Sequence, residues 1–509
     1  MHLKFLPFAV LEFFSPSMHP TVESCRNTSR NMSKIMTPSS KNKSSQMSRA
    51  ALLLALVVGL TFSGCHRNSH TPAEASVRTR SGADPLAIAL APHAGESPLD
   101  ERIRRSQEQV RAAKSTPANL EQLGWLFVAK ARASFDAGFY TLAEQCALAL
   151  DSRQPGCAES LLLRGHALQS QHRFSEAESL ARQLVEKRGL AFDHGLLGDI
   201  LADVGRVDEA AEAYQTMIDL KPDPQGYARV AHVRWIKGDL AGAVEAMQVA
   251  ADGASPHDAE SAAWMNTQLA RYLWQSGKSN EAAGALNTAL SFQTNYAPGL
   301  LLRGRMLLGA VKVEDAIPPL RQAAQINPLP EYHWALAEAF RAAHREEEAR
   351  AMEMQIVARG AVTDPRTCSL YLATRRTNSE LAVRLARREL AERSDVFTHD
   401  ALAWALAAAG KFDEAQSHLR LALAQGTQDA RLCFHAAIIT AQAGQRDEAA
   451  AWFDKAAALN FQLLPSEKAE LQSAEKLLSR PTTARLAPAN SAVSKSLSPA
   501  ASSGAATEN

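Results

Sequence analysis

The sequence predicts an all-α chain, folded as a solenoid of about ten stacked helix pairs with disordered tails at both ends. Three observations lead there. A small residue returns every 33 or 34 positions through the middle of the chain. Alanine and leucine dominate while aromatic residues are only 6%. Glycine and proline fall between apolar stretches rather than inside them, where they would interrupt helices. At 509 residues the chain exceeds the length at which one compact core stops growing, so it must be several domains or an elongated array. Lys+Arg (55) and Asp+Glu (54) nearly cancel, and without a surplus of positive charge nucleic acid is excluded as the expected partner.

The N-terminal elements read as targeting rather than fold. Residues 1–46 are a Ser/Lys/Asn-rich leader or a mis-assigned start, because Met47 begins a complete signal of its own. Residues 47–64 carry Arg49 and then the apolar run AALLLALVVGLTFSG, too short to span a bilayer comfortably but suited to the apolar centre of a signal peptide. The run ends in Phe62-Ser63-Gly64-Cys65, which resembles the lipobox of bacterial lipoproteins, with Phe62 where leucine is usual. That resemblance implies lipidation of Cys65 and anchoring of the mature chain to the cell-envelope membrane, with His66 in the next position pointing to the outer membrane or periplasm. The alternative is an uncleaved signal anchor. Residues 65–97 are Ser/Pro/Ala/Gly-rich and read as a flexible tether. Residues 98–123 lead in with an amphipathic capping helix, residues 464–480 supply a second capping helix, and 481–509 have too little apolar content to fold.

Between them lies the repeat. Aligned alanines stand at Ala143, Ala177, Ala210, Ala243, Ala282, Ala316, Ala349, Ala382, Ala415 and Ala449, and the single spacing of 39 comes from an inserted loop, Asp252 to Asp258. With that alanine numbered position 20, position 8 is small in nine copies (Gly165, Gly198, Gly304 and Ala403 among them), as expected where two helices meet closely. Position 15 is glycine in six copies, including Gly138 and Gly238, where a first helix must end in a left-handed turn. Pro155, Pro222 and Pro328 stop second helices from running on. The eighth copy is the poorest, with Leu370 at the small position and Thr377 at the glycine position, and it marks a candidate kink.

Residues 124–463 resemble the tetratricopeptide repeat. The resemblance implies a right-handed α-α superhelix whose concave wall, formed by positions 2, 5, 9 and 12 of each first helix, receives a protein or peptide ligand. Trp125, Arg132, His232, Trp235, Trp264, Arg271, Trp274, Arg305, Trp334, Arg341, Tyr371 and Trp404 map to that wall. Tryptophan and arginine are the residues that most often anchor interfaces; the competing explanation is plain packing between repeats. The groove reading expects Trp235→Ala with Trp274→Ala to abolish partner capture without changing helicity or melting.

Chemistry is not encoded in any motif. The chain has no G-x-S-x-G, H-E-x-x-H or C-x-x-C-H, its histidines are scattered, and Gly277-Lys278-Ser279 lacks the first glycine of a phosphate loop. No catalytic residue, cofactor or metal site is therefore expected. Cys146 and Cys157 flank one inter-helix loop symmetrically, which leaves open a disulfide or two small residues buried in a helix contact. The expected function is a non-catalytic, membrane-tethered scaffold for envelope proteins. The runner-up is an accessory subunit that recognises a polysaccharide or other polymer during export.

Overall fold

The computed structural model describes residues 84–112 and 116–478. The signal peptide, Cys65, the first part of the tether and the C-terminal tail lie outside the described residues. Two leading helices, the short α1 (Pro85–Ala89) and α2 (Pro98–Arg111), come first. Ten antiparallel pairs follow: α3 (Pro117–Ser134) with α4 (Gly138–Arg153), α5 (Ala158–Ser170) with α6 (Phe174–Lys187), α7 (Ala191–Asp203) with α8 (Val207–Leu220), α9 (Pro224–Ile236) with α10 (Leu240–Asp252), and α11 (Ala259–Gln275) with α12 (Ser279–Phe292). The second five are α13 (Ala297–Gly309) with α14 (Val313–Ile326), α15 (Pro330–Ala342) with α16 (Glu346–Thr363), α17 (Pro365–Arg375) with α18 (Ser379–Glu392), α19 (Val396–Ala408) with α20 (Phe412–Leu423), and α21 (Ala430–Gln442) with α22 (Arg446–Ala458). A single 3-10 turn at Asn460–Gln462 leads into α23 (Pro465–Leu478).

The ten alanines at position 20 all lie on second helices, and every one is fully buried. The contact at position 8 is tighter than alanine against alanine. A Cβ on Gly198 would stand 2.4 Å from the Tyr214 ring, and one on Gly304 would stand 2.3 Å from Leu320. In these two pairs the first helix therefore rests on position 24, one turn beyond the alanine.

Position 15 turns left-handed as expected at Gly205, Gly238, Gly277, Gly410 and Gly444. Three copies keep the turn without glycine: His172, Val311 and His344 have φ of 59°, 61° and 59°. Gly138 departs from the expectation, because the left-handed residue is Phe135 (φ 55°) and Gly138 opens α4. In the eighth copy Arg376 (φ 52°) takes the role one residue early, which leaves α17 the shortest first helix at 11 residues.

Two boundaries differ from the sequence reading. Residues 84–97, assigned to the tether, are folded: Ala89 is fully buried, and Gln107 Nε2 donates to the carbonyls of Ala89 (3.0 Å) and Ala91 (2.9 Å). Five helical residues are too few to show a period; α1 packs on α4, and side chains of α2 hydrogen-bond the carbonyls at its end. Of the residues inserted before the fifth copy, four lengthen α11 at its start, and Asp258 caps that extension by accepting from Ser261 N at 3.2 Å.

The solenoid winds until its last third returns to its middle. Ser394 Oγ donates to the carbonyl of Val204 (3.0 Å), Thr427 Oγ1 to that of Ile236, and Gln428 Nε2 to that of Gly238 (2.8 Å). The turns α7–α8 and α9–α10 are thus closed against the connections that precede α19 and α21. Glycine permits the approach: a Cβ on Gly205 would meet the Ser394 carbonyl at 2.5 Å, and one on Gly238 would meet that of Gly426 at 2.4 Å.

Candidate functional site

Winding this tightly turns the concave face into an interior. The first helices of repeats one, four, five and six bring Arg132, His232, Trp235, Trp264, Arg271, Trp274 and Arg305 around one cavity of about 420 Å³. The far wall comes from the returning chain, including Arg366, Arg393, Asp395, Phe397, Arg431 and Gln462. Seven of the twelve expected groove residues therefore meet at one place.

The other five pack elsewhere. Trp125 lies against His166 with ring centroids 5.5 Å apart. Trp334 is almost wholly enclosed, edge-on to Tyr371 at 5.7 Å and covered by the Arg431 guanidinium at 4.8 Å. Arg341 pairs with Glu346 (2.8 Å) and with Glu353. Trp404 stacks on His435 at 4.2 Å and donates from Nε1 to Thr374 Oγ1 at 2.9 Å. Packing between neighbouring first helices explains Trp125, Trp334, Tyr371 and Trp404, whose large side chains reach one another along a narrow inner wall, whereas Arg341 is held by α16 of its own pair.

Even at the cavity the tryptophans are structural as well as lining. Trp235 is 5% exposed and stacks on Phe397 (5.4 Å, 20°), with the Arg271 guanidinium over its ring at 5.2 Å. Trp274, also 5% exposed, meets Phe461 edge-on at 5.9 Å. Truncating a buried tryptophan costs about 3–5 kcal/mol. Trp235→Ala with Trp274→Ala would therefore lower melting, contrary to the expectation from sequence. Trp264, half-buried on the same wall, is the better probe.

The charges of the lining are largely compensated within the protein. Arg132 pairs with Glu260 (Nε to Oε1 2.9 Å, Nη2 to Oε2 2.7 Å), a residue supplied by the extension of α11. Arg366 reaches Asp395 at 3.2 Å, and Arg431 reaches Glu467 at 2.7 Å. Burial, reinforced by the Arg271 charge, pushes His232 down to about 3, so it is neutral. Burial raises Asp203 to about 7 and Asp364 to about 6. Trp235 Nε1 and Gln275 Oε1 are buried without a hydrogen-bond partner, and both residues line the cavity. Glu260, Asp203, Gln268 and the loop pair Arg393 and Asp395 were not found from sequence. Glu260 alone left a signal, its place beside the insertion.

Among the described residues, no group of three or more His, Cys, Asp or Glu side chains is placed to hold a metal. Cys146 and Cys157 are both free thiols. Cys146 is fully enclosed, and burial pushes its thiol far up, while Cys157 stands at the N-terminus of α5.

Residues 162–226, 196–259 and 267–329 match the family model of the tetratricopeptide repeat. This stretch is built of tetratricopeptide repeats. The buried alanines carry the same helix-pair geometry through all ten copies, on both sides of the matched residues. A comparison with curated proteins finds no match. Among solved structures, the chain is similar to the yeast Tom70, with 14% identity and a TM-score of 0.34, covering 75% of this chain and 92% of that one. It is also similar to a tetratricopeptide repeat protein from Parabacteroides merdae, with 19% identity, a TM-score of 0.29 and coverage of 50% and 99%. A third is MamA, with 12% identity, a TM-score of 0.23 and coverage of 38% and 92%.

Proposed function

We propose that this chain is a non-catalytic adaptor of the bacterial cell envelope, anchored through a lipid on Cys65, that binds segments of other proteins along the inner wall of its solenoid. Tetratricopeptide repeats generally serve protein–protein contacts, and the lining fits that use. The observation that carries the reading is the convergence of Trp235, Trp264, Trp274, Arg132, Arg271 and Arg305 on one cavity. Its volume of about 420 Å³ falls within the range of ligand pockets, so it suits a few side chains of a partner rather than a folded domain. The arrangement offers large apolar faces and hydrogen-bonding edges.

The test is crosslinking followed by affinity purification from envelope extract, with wild type beside Trp264→Ala/Arg271→Ala. Discrete proteins crosslinked to wild type and lost from the variant, at equal helicity, support the adaptor reading. Carbohydrate retained without protein would move it to polymer recognition. Mass spectrometry of the mature chain checks the anchor, and an unmodified Cys65 would remove the lipoprotein part of the proposal.

A further inference from the structure

The inner wall of the later repeats already holds a peptide, and that peptide is the chain's own. After α22 the backbone reaches across from the tenth repeat to the fifth, sixth and seventh as well as packing on its neighbours. Phe461 lies edge-on to Trp274, and its carbonyl sits where a Cβ on Gly309 would stand 2.3 Å away. The Gln462 carbonyl accepts from Arg305 Nη2 at 3.2 Å. Leu463 and Leu464 are buried. Ser466 donates from N (2.9 Å) and Oγ (2.7 Å) to the Glu338 carboxylate. Glu467, fully enclosed, caps the turn by accepting from Leu464 N at 2.8 Å and pairs with Arg431. Beyond it Glu470 reaches Arg376 at 2.6 Å.

These contacts are more selective than a cap requires. A terminal helix needs only to cover the last apolar face, and α23 does so against α21 and α22. The crossing segment adds main-chain and side-chain recognition of groups about four to six repeats' worth of sequence away. Arg305 and Trp274, expected from sequence to hold a ligand, are the residues that hold it.

We propose that the inner face of α11, α13 and α15 is a peptide-docking face occupied in the closed state by residues 460–467, and that the partner is an extended segment of the same chemistry. That chemistry is an aromatic residue, a residue whose carbonyl faces Arg305, two aliphatic residues, and then a helix start carrying serine and an acidic side chain. The resident segment also forms part of the cavity lining through Gln462, Leu463 and Glu467, so its displacement opens the site. This rests on the reading of the chain as a binder of protein segments.

A fluorescent peptide of residues 458–470 tests it by anisotropy on the full chain. Wild type, with a tethered competitor at high effective concentration, binds weakly; Phe461→Ala/Glu470→Ala binds at least about tenfold more tightly. Adding Gly309→Ala, whose methyl group blocks the path of the backbone, cancels that gain. A folded double variant that binds no better than wild type overturns the proposal, as does a gain that Gly309→Ala leaves intact. Should the double variant unfold, wild type answers by hydrogen exchange: excess peptide must speed exchange across 460–467 while α21 keeps its protection, and unchanged exchange there overturns the proposal. A chain that captures envelope proteins but fails the peptide test keeps the adaptor role and loses only this assignment.

Discussion

Val311 shows how strongly the pair geometry governs its turn. It is a β-branched residue at φ 61°, in the left-handed region that such residues avoid, and its side chain is 79% exposed. The left-handed conformation costs an L-residue roughly 1–2 kcal/mol, and glycine returns part of that saving through its greater freedom when unfolded. Val311→Gly should therefore stabilise the chain by up to about 1 kcal/mol in urea unfolding; an equal or lower midpoint would show that the strain is relieved elsewhere. The same position shows what a single sequence conceals. Five glycines announced the left-handed turn, whereas His172, Val311 and His344 adopt it with no local signal, because the packed helices on either side leave no other route. The tryptophans were legible as inner-wall residues from their positions. Their burial was not, since it depends on Phe397 and Phe461 arriving from distant repeats.

At the scale of the helix pair, the repeat was legible to the residue, because one small side chain per copy is a packing requirement that composition cannot hide. What the period left out was the partner of position 8. The Tyr214 ring over Gly198 also donates from its hydroxyl to Asp199 Oδ1 at 2.8 Å, and Asp199 is bridged by buried Arg229 at 2.8 and 2.7 Å. Gly198→Ala forces that ring, and the ion pair behind it, to move. A loss of about 1–3 kcal/mol is expected from overpacking, read as a lower thermal midpoint, whereas Ala403→Gly, which relaxes the equivalent contact, should cost about 1 kcal/mol through helix propensity. A Gly198→Ala chain as stable as wild type or more so, as helix propensity alone would make it, would mean that position 8 is not a close contact. Short elements were the least legible: α1 is recognised only from α4, on which it packs, and from the side chains of α2 that bond its carbonyls.

For the whole molecule, the closure between the middle and the last third was not legible, because it joins residues about 190 positions apart through backbone carbonyls and glycines that carry no pattern. Matched substitutions measure it. Gly410 and Gly238 share the left-handed conformation (φ 74° and 78°), but a Cβ on Gly410 meets nothing within 4 Å, while one on Gly238 meets the Gly426 carbonyl. Gly410→Ala then reports backbone strain alone, about 1–2 kcal/mol, and Gly238→Ala reports strain plus closure. The second should destabilise more and enlarge the radius of gyration in small-angle scattering; identical behaviour would place the closure outside the solution structure.

Asp203 gives the closure a pH dependence. Burial raises its carboxyl from the usual carboxylate range to about 7, and the Arg393 charge opposes this only in part. A carboxyl whose folded value lies above its unfolded one favours folding most at low pH, and that contribution is lost progressively as pH rises from about 4, where the unfolded carboxyl ionises, to about 7, where the folded one does. Asp203→Asn keeps an acceptor for Gln169 Nε2, which now reaches Asp203 Oδ2 at 2.9 Å, and cannot ionise. Its melting temperature should gain on that of wild type as pH rises from 5 to 8. A constant difference across that range would separate Asp203 from the titration.

An open solenoid tolerates the gain or loss of a unit, since each unit touches only its neighbours and stability grows by increments. A seam stitched between Val204 and Ser394, and again between Gly238 and Gln428, removes that freedom. The chain must count: duplicating or deleting one pair from the fifth to the eighth copy would carry every stitch past its mate, and such a protein should lose cooperativity even though each unit added or removed is sound.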